Sequence, residues 1–335
     1  MGIKMKNKTV SNKSSGGIIS AISELLQLII IIPGAYLLKK MRMNQFNKFP
    51  ISRKTLYRIG VFPIIDHYYD PLFIPDQVKH DLGTDRDLPG IDLNENQQLE
   101  ILKGLNFSDE LVKMPFDKTA DLKYYFNNSV FLSGDSEISY GMIRHFKSRK
   151  IIEIGSGLST LMTLNAIQKN KEEDANYNCE MICVEPFEHK WLDKLDIKLV
   201  RSMVEDVDIS LFDKLEKNDI LFIDSSHMIK PQGDVLFLFL HVLPKLKPGV
   251  LVHIHDIFTP RDYLADWVLV KNRMWNEQYL LEAFLSHNHD FKIISAVNFL
   301  RHHHLEALSA CCPVMKKQIE SGADREPGSF WIQKV

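Results

Sequence analysis

From about residue 129 onward, short apolar runs alternate with longer stretches of helical periodicity, and this alternation constrains the fold more than any other feature of the sequence. Such alternation is typical of a parallel α/β sheet, in which each strand is followed by a helix. We predict strands at 150–154, 181–184, 197–200, 220–223, 250–254, 291–297 and 330–333. Helices are predicted at 159–171, 187–194, 208–216 and 232–246, followed by a long helical region at 261–287. The two closing strands predict a terminal antiparallel hairpin on an otherwise mostly parallel, seven-stranded sheet.

The 335 residues leave room for one large domain and a smaller attachment. Residues 1–17 are rich in Lys, Asn, Ser and Gly, which predicts a disordered basic tail. An apolar helix is expected at 18–44, and an N-terminal cap of helices and loops at 45–128, where periodicity is weak. The α/β domain is then expected to occupy 129–335.

Charge is distributed unevenly along the chain. The first 60 residues contain eleven Lys or Arg and one acid, whereas the remainder contains 30 basic and 42 acidic residues. An acidic body repels phosphates, so we expect no nucleic-acid partner, and the basic N-terminus favours contact with an anionic surface. Four cysteines are too few for a disulfide framework and indicate the reduced thiols of a cytosolic protein.

The segment 18–38 is apolar at fifteen of its 21 positions, close to the length that crosses a bilayer. Ser20, Glu24 and Gln27 form a polar stripe, which suits a helix lying in the membrane interface. Basic flanks on both sides leave its orientation open, and the run ends at Lys39 without a good cleavage site. We expect a cytoplasmic protein associated with the membrane through this segment; the alternative is an amphipathic helix packed on the body.

A glycine-containing turn follows the first predicted strand and opens a helix. Gly155 and Gly157 allow a sharp turn and close approach of the backbone to a ligand. Glu153 suits a ligand that carries a cationic amino group, whereas Thr160 stands where a dinucleotide fingerprint needs Gly or Ala. The candidate ligand-binding residues of this turn are Glu153, Gly155, Ser156, Gly157, Ser159 and Thr160.

Acidic residues follow the next two strands. Glu185 comes at the end of the second strand, where a carboxylate can accept both hydroxyls of a ribose. Glu205 and Asp206 follow the third strand, where they are candidates for holding an adenine amino group.

The fourth and fifth strands end in carboxylates and imidazoles. Asp224 and His227 follow the fourth strand, and His255 and Asp256 follow the fifth. Because carboxyl ends of parallel strands meet at one edge of a sheet, these four side chains are expected to converge. They can hold a divalent cation, or one histidine can act as general base. The run 302–304 of three histidines and the stretch 275–279 can also face a ligand, although a solvated turn and core packing explain them as well.

In this order, the motifs EIGSGLST, VEP, VED, FIDSSH, LKPGVLVHIHDIF and SFWIQ resemble those of class I S-adenosylmethionine (SAM)-dependent methyltransferases. The resemblance covers 129–335 and is greatest to the branch of sugar O-methyltransferases and cephalosporin hydroxylase-like proteins. It implies a Rossmann-like fold, SAM as cofactor, and a magnesium site carried over to Asp224, His255 and Asp256. His255 departs from the acid that this branch has there, which favours a softer metal or none.

The resemblance also implies the roles of the residues. Glu153 and the glycine turn hold the methionine end of SAM, Glu185 the ribose, and Glu205 or Asp206 the adenine side. His227 or His255 takes the proton of a hydroxyl on a sugar, glycan or small molecule, or a metal at Asp224 and Asp256 activates that hydroxyl. An NAD(P)-linked oxidoreductase and a non-catalytic, membrane-attached protein that retains the fold are the alternatives, and the oligomeric state stays open.

Overall fold

The computed structural model describes residues 14–187, 189–323 and 325–335, which fall into two compact units. One unit extends to Lys79 and the other begins at His80. The predicted cap at 45–128 is therefore divided between the units, and the predicted domain boundary at 129 remains a prediction.

The first unit contains two helices, α1 (Ser14–Met43) and α2 (Pro50–Ile59). Residues 14–17, predicted to belong to the disordered tail, form the first turn of α1, and the rest of that tail lies outside the described residues. Ser20–Met43 is apolar and long enough to cross a membrane by length and composition, and its most apolar 18-residue stretch contains no buried residue. After α1, the rings of Phe46, Tyr57 and Phe62 pack on one another.

The second unit is built on a seven-stranded sheet of order β3-β2-β1-β4-β5-β7-β6. Strands β1 to β5 are parallel, whereas β7 runs antiparallel to both β5 and β6. The strands are β1 (Lys150–Ile154), β2 (Glu180–Val184), β3 (Lys198–Val200), β4 (Ile220–Ile223), β5 (Leu251–Ile254), β6 (Phe291–Ala296) and β7 (Phe330–Lys334). The predicted fold class is confirmed, with each strand within two residues of its predicted ends.

Nine helices of the second unit surround this sheet in the described residues. They are α3 (Glu95–Gly104), α4 (Ser108–Leu111), α5 (Asp135–Phe146), α6 (Leu158–Glu173), α7 (Asp234–Phe237), α8 (Glu277–Leu285), α9 (Val297–His303), α10 (Leu305–Cys311) and α11 (Pro313–Glu320). Every residue of β4 and β5 is buried, as expected for central parallel strands covered on both faces. Helices α9 to α11 connect β6 to β7, so the closing antiparallel pair has no tight turn.

Three helix predictions are wrong. The predicted helices at 187–194 and 208–216 are only 3-10 turns, at Leu192–Lys194 and Ile209–Lys214. The region 261–287 is not one helix, because a π-helical turn (Asp266–Val270) is separated from α8 by an extended segment. Asn272 has a φ of 50°, a left-handed conformation that ends the helix.

Candidate cofactor and catalytic site

The glycine turn after β1 is pressed against the end of β4. Gly155 has a φ of 78°, and a Cβ added to it would lie 1.9 Å from the carbonyl oxygen of Asp224. Any larger residue would be strained in conformation and would overlap the backbone. The turn and the end of β4 are thus in direct contact.

Glu153 lies behind this turn. Its fully buried carboxylate accepts hydrogen bonds of 2.6 Å from both Ser159 Oγ and Thr160 Oγ1. Burial raises the pKa of Glu153 to about 7, against the opposing effect of the two hydroxyls. A direct contact of Glu153 or Thr160 with a ligand, as predicted, does not fit this geometry, because their polar atoms are turned toward each other; Glu153 instead fixes the start of α6.

Glu185, in contrast, faces a cavity of about 570 Å³. Its two carboxylate oxygens accept the backbone N–H groups of Ser156, at 3.0 Å, and Phe187, at 2.8 Å. Each oxygen retains a lone pair for a ligand hydroxyl. The Oγ atom of Ser156 is buried and has no hydrogen-bond partner among the described residues.

The cavity is formed by the glycine turn, the first turn of α6, the end of β4 and the segment before α5. Its lining includes Gly155, Ser156, Gly157, Ser159, Glu185, Trp191, Asp224, Lys118, Tyr125 and Phe131. Glu205 and Asp206 lie on a 3-10 turn, Val204–Asp206, outside this lining. Their predicted role at the adenine side therefore remains a prediction.

Asp224, His227 and Asp256 meet at the ends of β4 and β5. One ligand atom from each lies within 4.8 Å of the others. His227 Nε2 is 3.3 Å from Asp224 Oδ1 and 3.6 Å from Asp256 Oδ2. Two carboxylates and an imidazole are a donor set for a divalent transition metal.

His227 is held in place from its other side. Its Nδ1 atom lies 2.9 Å from Oε2 of Glu277, a fully buried carboxylate at the start of α8. The ring of Trp275 lies 4.2 Å from the imidazole. Burial alone would lower the pKa of His227, but the carboxylates of Asp224 and Glu277 outweigh it and raise the pKa to about 10. Burial also raises the pKa of Glu277.

His255 converges with these carboxylates, as predicted, but it does not belong to the group of three possible metal ligands. Its Nδ1 atom is 3.5 Å from Asp256 Oδ1 and 3.7 Å from Asp224 Oδ2, and its Nε2 atom faces Asp135 Oδ2 at 3.7 Å. The side chain packs beside Phe131, and both ring nitrogens lack a hydrogen-bond partner among the described residues. His227, which has a left-handed backbone (φ 56°), stands with Asp224 and Asp256 in that group, and the role of His255 as a metal ligand remains a prediction.

The carboxylates of this cluster outnumber its imidazoles. Burial opposes ionisation of Asp224, but the neighbouring imidazoliums of His255 and His227 lower its pKa, whereas burial raises the pKa of Asp256. His255 has a pKa well above its usual value, since the carboxylates of Asp256 and Asp224 overcome its burial. Four acids, including Asp135 and Glu277, surround two histidines. Protonation of both imidazoles, or a bound cation, would offset part of the negative charge of these acids.

Sequence reasoning missed Asp135 and Glu277. Glu277 lies 50 residues from His227 in the chain, and the segment 275–279 was considered only as a possible pocket wall. Asp135 precedes the predicted sheet and has no motif around it. The histidines at 302–304 do not join the cluster; they pair with Glu326, Asp85 and Glu95.

Comparison with known proteins identifies the sheet unit. A family model described as a methyltransferase domain matches residues 152–257, which contain the ends of β1, β2, β4 and β5. An uncharacterized protein of Archaeoglobus fulgidus is 31% identical over 167 residues, which are 46% of this chain and 74% of that protein.

Two solved structures are also similar. The plantazolicin methyltransferase BpumL, in complex with a monoazolic desmethylPZN analog and SAH, has 16% identity and a TM-score of 0.37, covering 72% of this chain and 98% of its own. An O-methyltransferase from Bacillus cereus in complex with SAH has 11% identity and a TM-score of 0.35, covering 70% and 90%.

The family match includes the glycine turn, Glu185 and the Asp224–Asp256 strand ends, and the sheet has the predicted architecture. The sequence left open a methyltransferase, an NAD(P)-linked oxidoreductase and a non-catalytic protein, and the family match identifies the methyltransferase. The chain belongs to the class I SAM-dependent methyltransferases, and SAM is its cofactor.

Proposed function

We propose that the protein methylates a hydroxyl group of a sugar, glycan or small molecule. The observation that carries this proposal is the position of Asp224, which lines the same cavity as Glu185 and the glycine turn and also belongs to the carboxylate–histidine cluster. A hydroxyl bound at the cluster would stand beside a methyl donor bound in the cavity. Such positioning is what in-line transfer requires.

SAM would be held by Gly155, Ser156 and Gly157 at its methionine end and by Glu185 at its ribose. The unpartnered Oγ of Ser156 and the remaining lone pairs of Glu185 are donors and acceptors available to the cofactor. Glu153 would act through Ser159 and Thr160 as a positioning residue. Glu205 or Asp206 would approach the adenine side.

The proton of the acceptor hydroxyl would pass to Nε2 of His227. Glu277 occupies Nδ1, so that Nε2 is the nitrogen directed at Asp224 and Asp256. The neutral imidazole is the form that accepts a proton. His255 is the other candidate base, with its nitrogens not bonded to described residues.

The cluster also fits a divalent cation. Asp224, His227 and Asp256 would hold it, with His255 next to them, and the histidine in the set favours manganese, iron or zinc over magnesium. A bound cation lowers the pKa of a coordinated hydroxyl and so supplies the activation that a base would otherwise provide. The excess of acids over imidazoles supports this proposal.

An anionic membrane surface is the partner proposed for the first unit, with the protein body in the cytoplasm. Support comes from the apolar side chains that α1 exposes, such as Ile29 and Ile30, and from the basic residues between 39 and 58. No acid occurs between Glu24 and Asp66. Each basic residue near such a surface contributes about 1 kcal/mol of attraction.

The test is transfer of a labelled methyl group from SAM to a panel of hydroxyl acceptors. We expect Asp224→Asn and Asp256→Asn to reduce kcat by at least about a hundredfold, the usual contribution of acid–base catalysis. Full activity in both variants would contradict the proposed site. Chelation followed by metal add-back separates the two routes, because activity that resists chelators would rule out the metal.

Glu185→Ala tests the cofactor assignment independently of the acceptor. Loss of the ribose contact should weaken SAM binding by at least about tenfold, since an unpaired hydroxyl costs on the order of 1–3 kcal/mol. Glu180→Ala, at the opposite end of β2, is the matched control and should bind SAM normally. Unchanged affinity of the Glu185 variant, measured by calorimetry, would remove Glu185 from the site.

A further inference from the structure

Arg273 is held between two aromatic rings in the segment that connects the π-helical turn to α8. Its Cζ atom lies 4.3 Å from the ring centroid of Trp267 and 4.3 Å from that of Trp275. The two indole rings meet at 79° with centroids 5.1 Å apart, so that the guanidinium lies in the corner between them. Cation–π attraction to both rings fixes its position.

No acid neutralises this guanidinium within the described part of the chain. The side chain of Arg273 has neither a hydrogen bond nor a carboxylate within 4.0 Å among those residues. Its neighbours differ: Lys271 pairs with Asp266 at 2.5 Å, and Arg261 pairs with Asp85 at 2.8 Å. Arg273 is therefore positioned but leaves its donors available.

Trp275 connects this cation to the candidate catalytic cluster. The same indole that contacts Arg273 packs on the imidazole of His227 at 4.2 Å. The separation between Arg273 Cζ and the centroid of the His227 imidazole is therefore at most the sum of their distances from the Trp275 ring centroid, which are 4.3 Å and 4.2 Å.

The negative charge of the nearby cluster makes the guanidinium of Arg273 important for an anionic substrate. The cluster contains Asp135, Asp224, Asp256 and Glu277, which repel an anionic substrate. A guanidinium presents a planar pair of donors that matches the two oxygens of a carboxylate or phosphate. The cluster repels an anionic acceptor, but the guanidinium attracts it. Such an acceptor would therefore bind with its oxyanion at Arg273 and its uncharged hydroxyl at the cluster.

Building on the proposed function, we propose that Arg273 is the oxyanion-binding residue of the acceptor site, and that the acceptor carries a phosphate or carboxylate group near the hydroxyl that is methylated. Trp267 and Trp275 position the guanidinium. The shared chemistry of the two groups is a pair of oxygens in the plane of the guanidinium.

The test is calorimetric titration of the SAH-loaded, full-length protein with inorganic phosphate and, separately, acetate, at constant ionic strength in chloride. We expect saturable binding of at least one of the two, and the tighter one identifies the oxyanion. Arg273→Gln should weaken this binding by about tenfold, because a charge-assisted hydrogen bond is lost. Arg273→Lys, which keeps the charge without the two-donor edge, should give an intermediate affinity.

Lys271→Gln is the matched control, since it removes a nearby cation that already has an acidic partner, and it should bind like the wild type. The proposal is overturned if the wild type shows no saturable binding of either anion, if Arg273→Gln binds as the wild type does, or if Lys271→Gln loses as much affinity. SAH affinity, measured for each variant, reports whether the cofactor site is intact. If methyl transfer to a hydroxyl acceptor that carries a phosphate or carboxylate is unaffected by Arg273→Gln, the proposed function stands and this subsite is rejected.

Discussion

We expect that a single methyl group added at Gly155 would push the glycine turn away from the end of β4. Gly155→Ala would place a Cβ 1.9 Å from the carbonyl oxygen of Asp224, in a backbone conformation with φ of 78°. The left-handed conformation alone costs an alanine about 1 kcal/mol, and relief of the overlap requires the backbone to move. We expect a loss of at least about 2 kcal/mol in the free energy of unfolding and much weaker SAM binding, measured by denaturant titration and calorimetry.

Gly157→Ala provides the comparison within the same turn. A Cβ there meets no atom within 4 Å, and the backbone is extended, with φ of −167°. We expect near-normal stability for this variant. Equal stability of the two variants would show that the close approach at Gly155 is not a constraint.

Glu277 should control the pH dependence of turnover through His227. The Glu277 carboxylate helps to raise the pKa of His227 to about 10, although burial acts in the opposite direction. Because only the neutral imidazole accepts a proton, turnover by this route rises with pH toward that value. In Glu277→Gln the imidazolium loses a partner, so its pKa falls and the rising limb of the kcat profile moves to lower pH.

Glu282→Gln is the control for this shift. Glu282 is a mostly buried acid on the same helix, but it bonds to Arg86 and Thr259 instead of the cluster. It should lower stability without moving the pH profile. An unshifted profile in Glu277→Gln would exclude Glu277 as the positioning residue of His227.

Individual residues also show which parts of the candidate site can be predicted from the sequence. Asp224, His227 and Asp256 were predictable, because they directly follow strands whose carboxyl ends share one edge. Glu153 lies within β1, one residue before the strand ends, and it faces inward. The signal for this was local, because the hydroxyls at 159 and 160, at the start of α6, are within reach of its carboxylate. Glu277 gave no such signal, because only tertiary packing brings α8 to the cluster.

At the scale of elements, α1 is expected to attach the protein to membranes. The intact chain should sediment with anionic vesicles, and deletion of residues 1–44 should release a protein that still binds SAM. The physical reason is burial of the apolar residues of Ser20–Met43 in lipid, assisted by the basic residues that follow. Equal sedimentation of both forms, or none for the intact chain, would refute this attachment; neutral vesicles are the control for the basic residues.

The elements also show why strands were predicted more reliably than helices. The run at 220–223 is continuous and apolar, the run at 150–154 is apolar at three of its five positions, and the predicted bounds of both matched the structure. The region 261–287 has helical periodicity, but the left-handed Asn272 and the hydrogen bond from Arg273 N to Trp267 O, at 2.9 Å, end the turn before α8 begins. Periodicity over a window does not detect one backbone reversal inside it.

For the whole molecule, the cofactor should stabilise the unit from His80 to Val335, which contains the proposed SAM contacts. Ligand at a hundred times its Kd adds about 2.7 kcal/mol to the free energy of unfolding. We expect SAM and SAH to raise the Tm by several degrees, measured by a thermal shift assay, and NAD(P) to leave it unchanged. A shift with NAD(P) alone would contradict the cofactor assignment.

Because β7 lies between β5 and β6, this part of the sheet can be completed only when the end of the chain has been made. During synthesis, β5, which Asp256 of the candidate cluster follows, exposes one unpaired edge until residues 330–334 have left the ribosome. More than 70 residues are translated in that interval, and an unpaired apolar edge can pair with another chain. We therefore expect the nascent protein to be most prone to pairing with other chains during the last part of its translation.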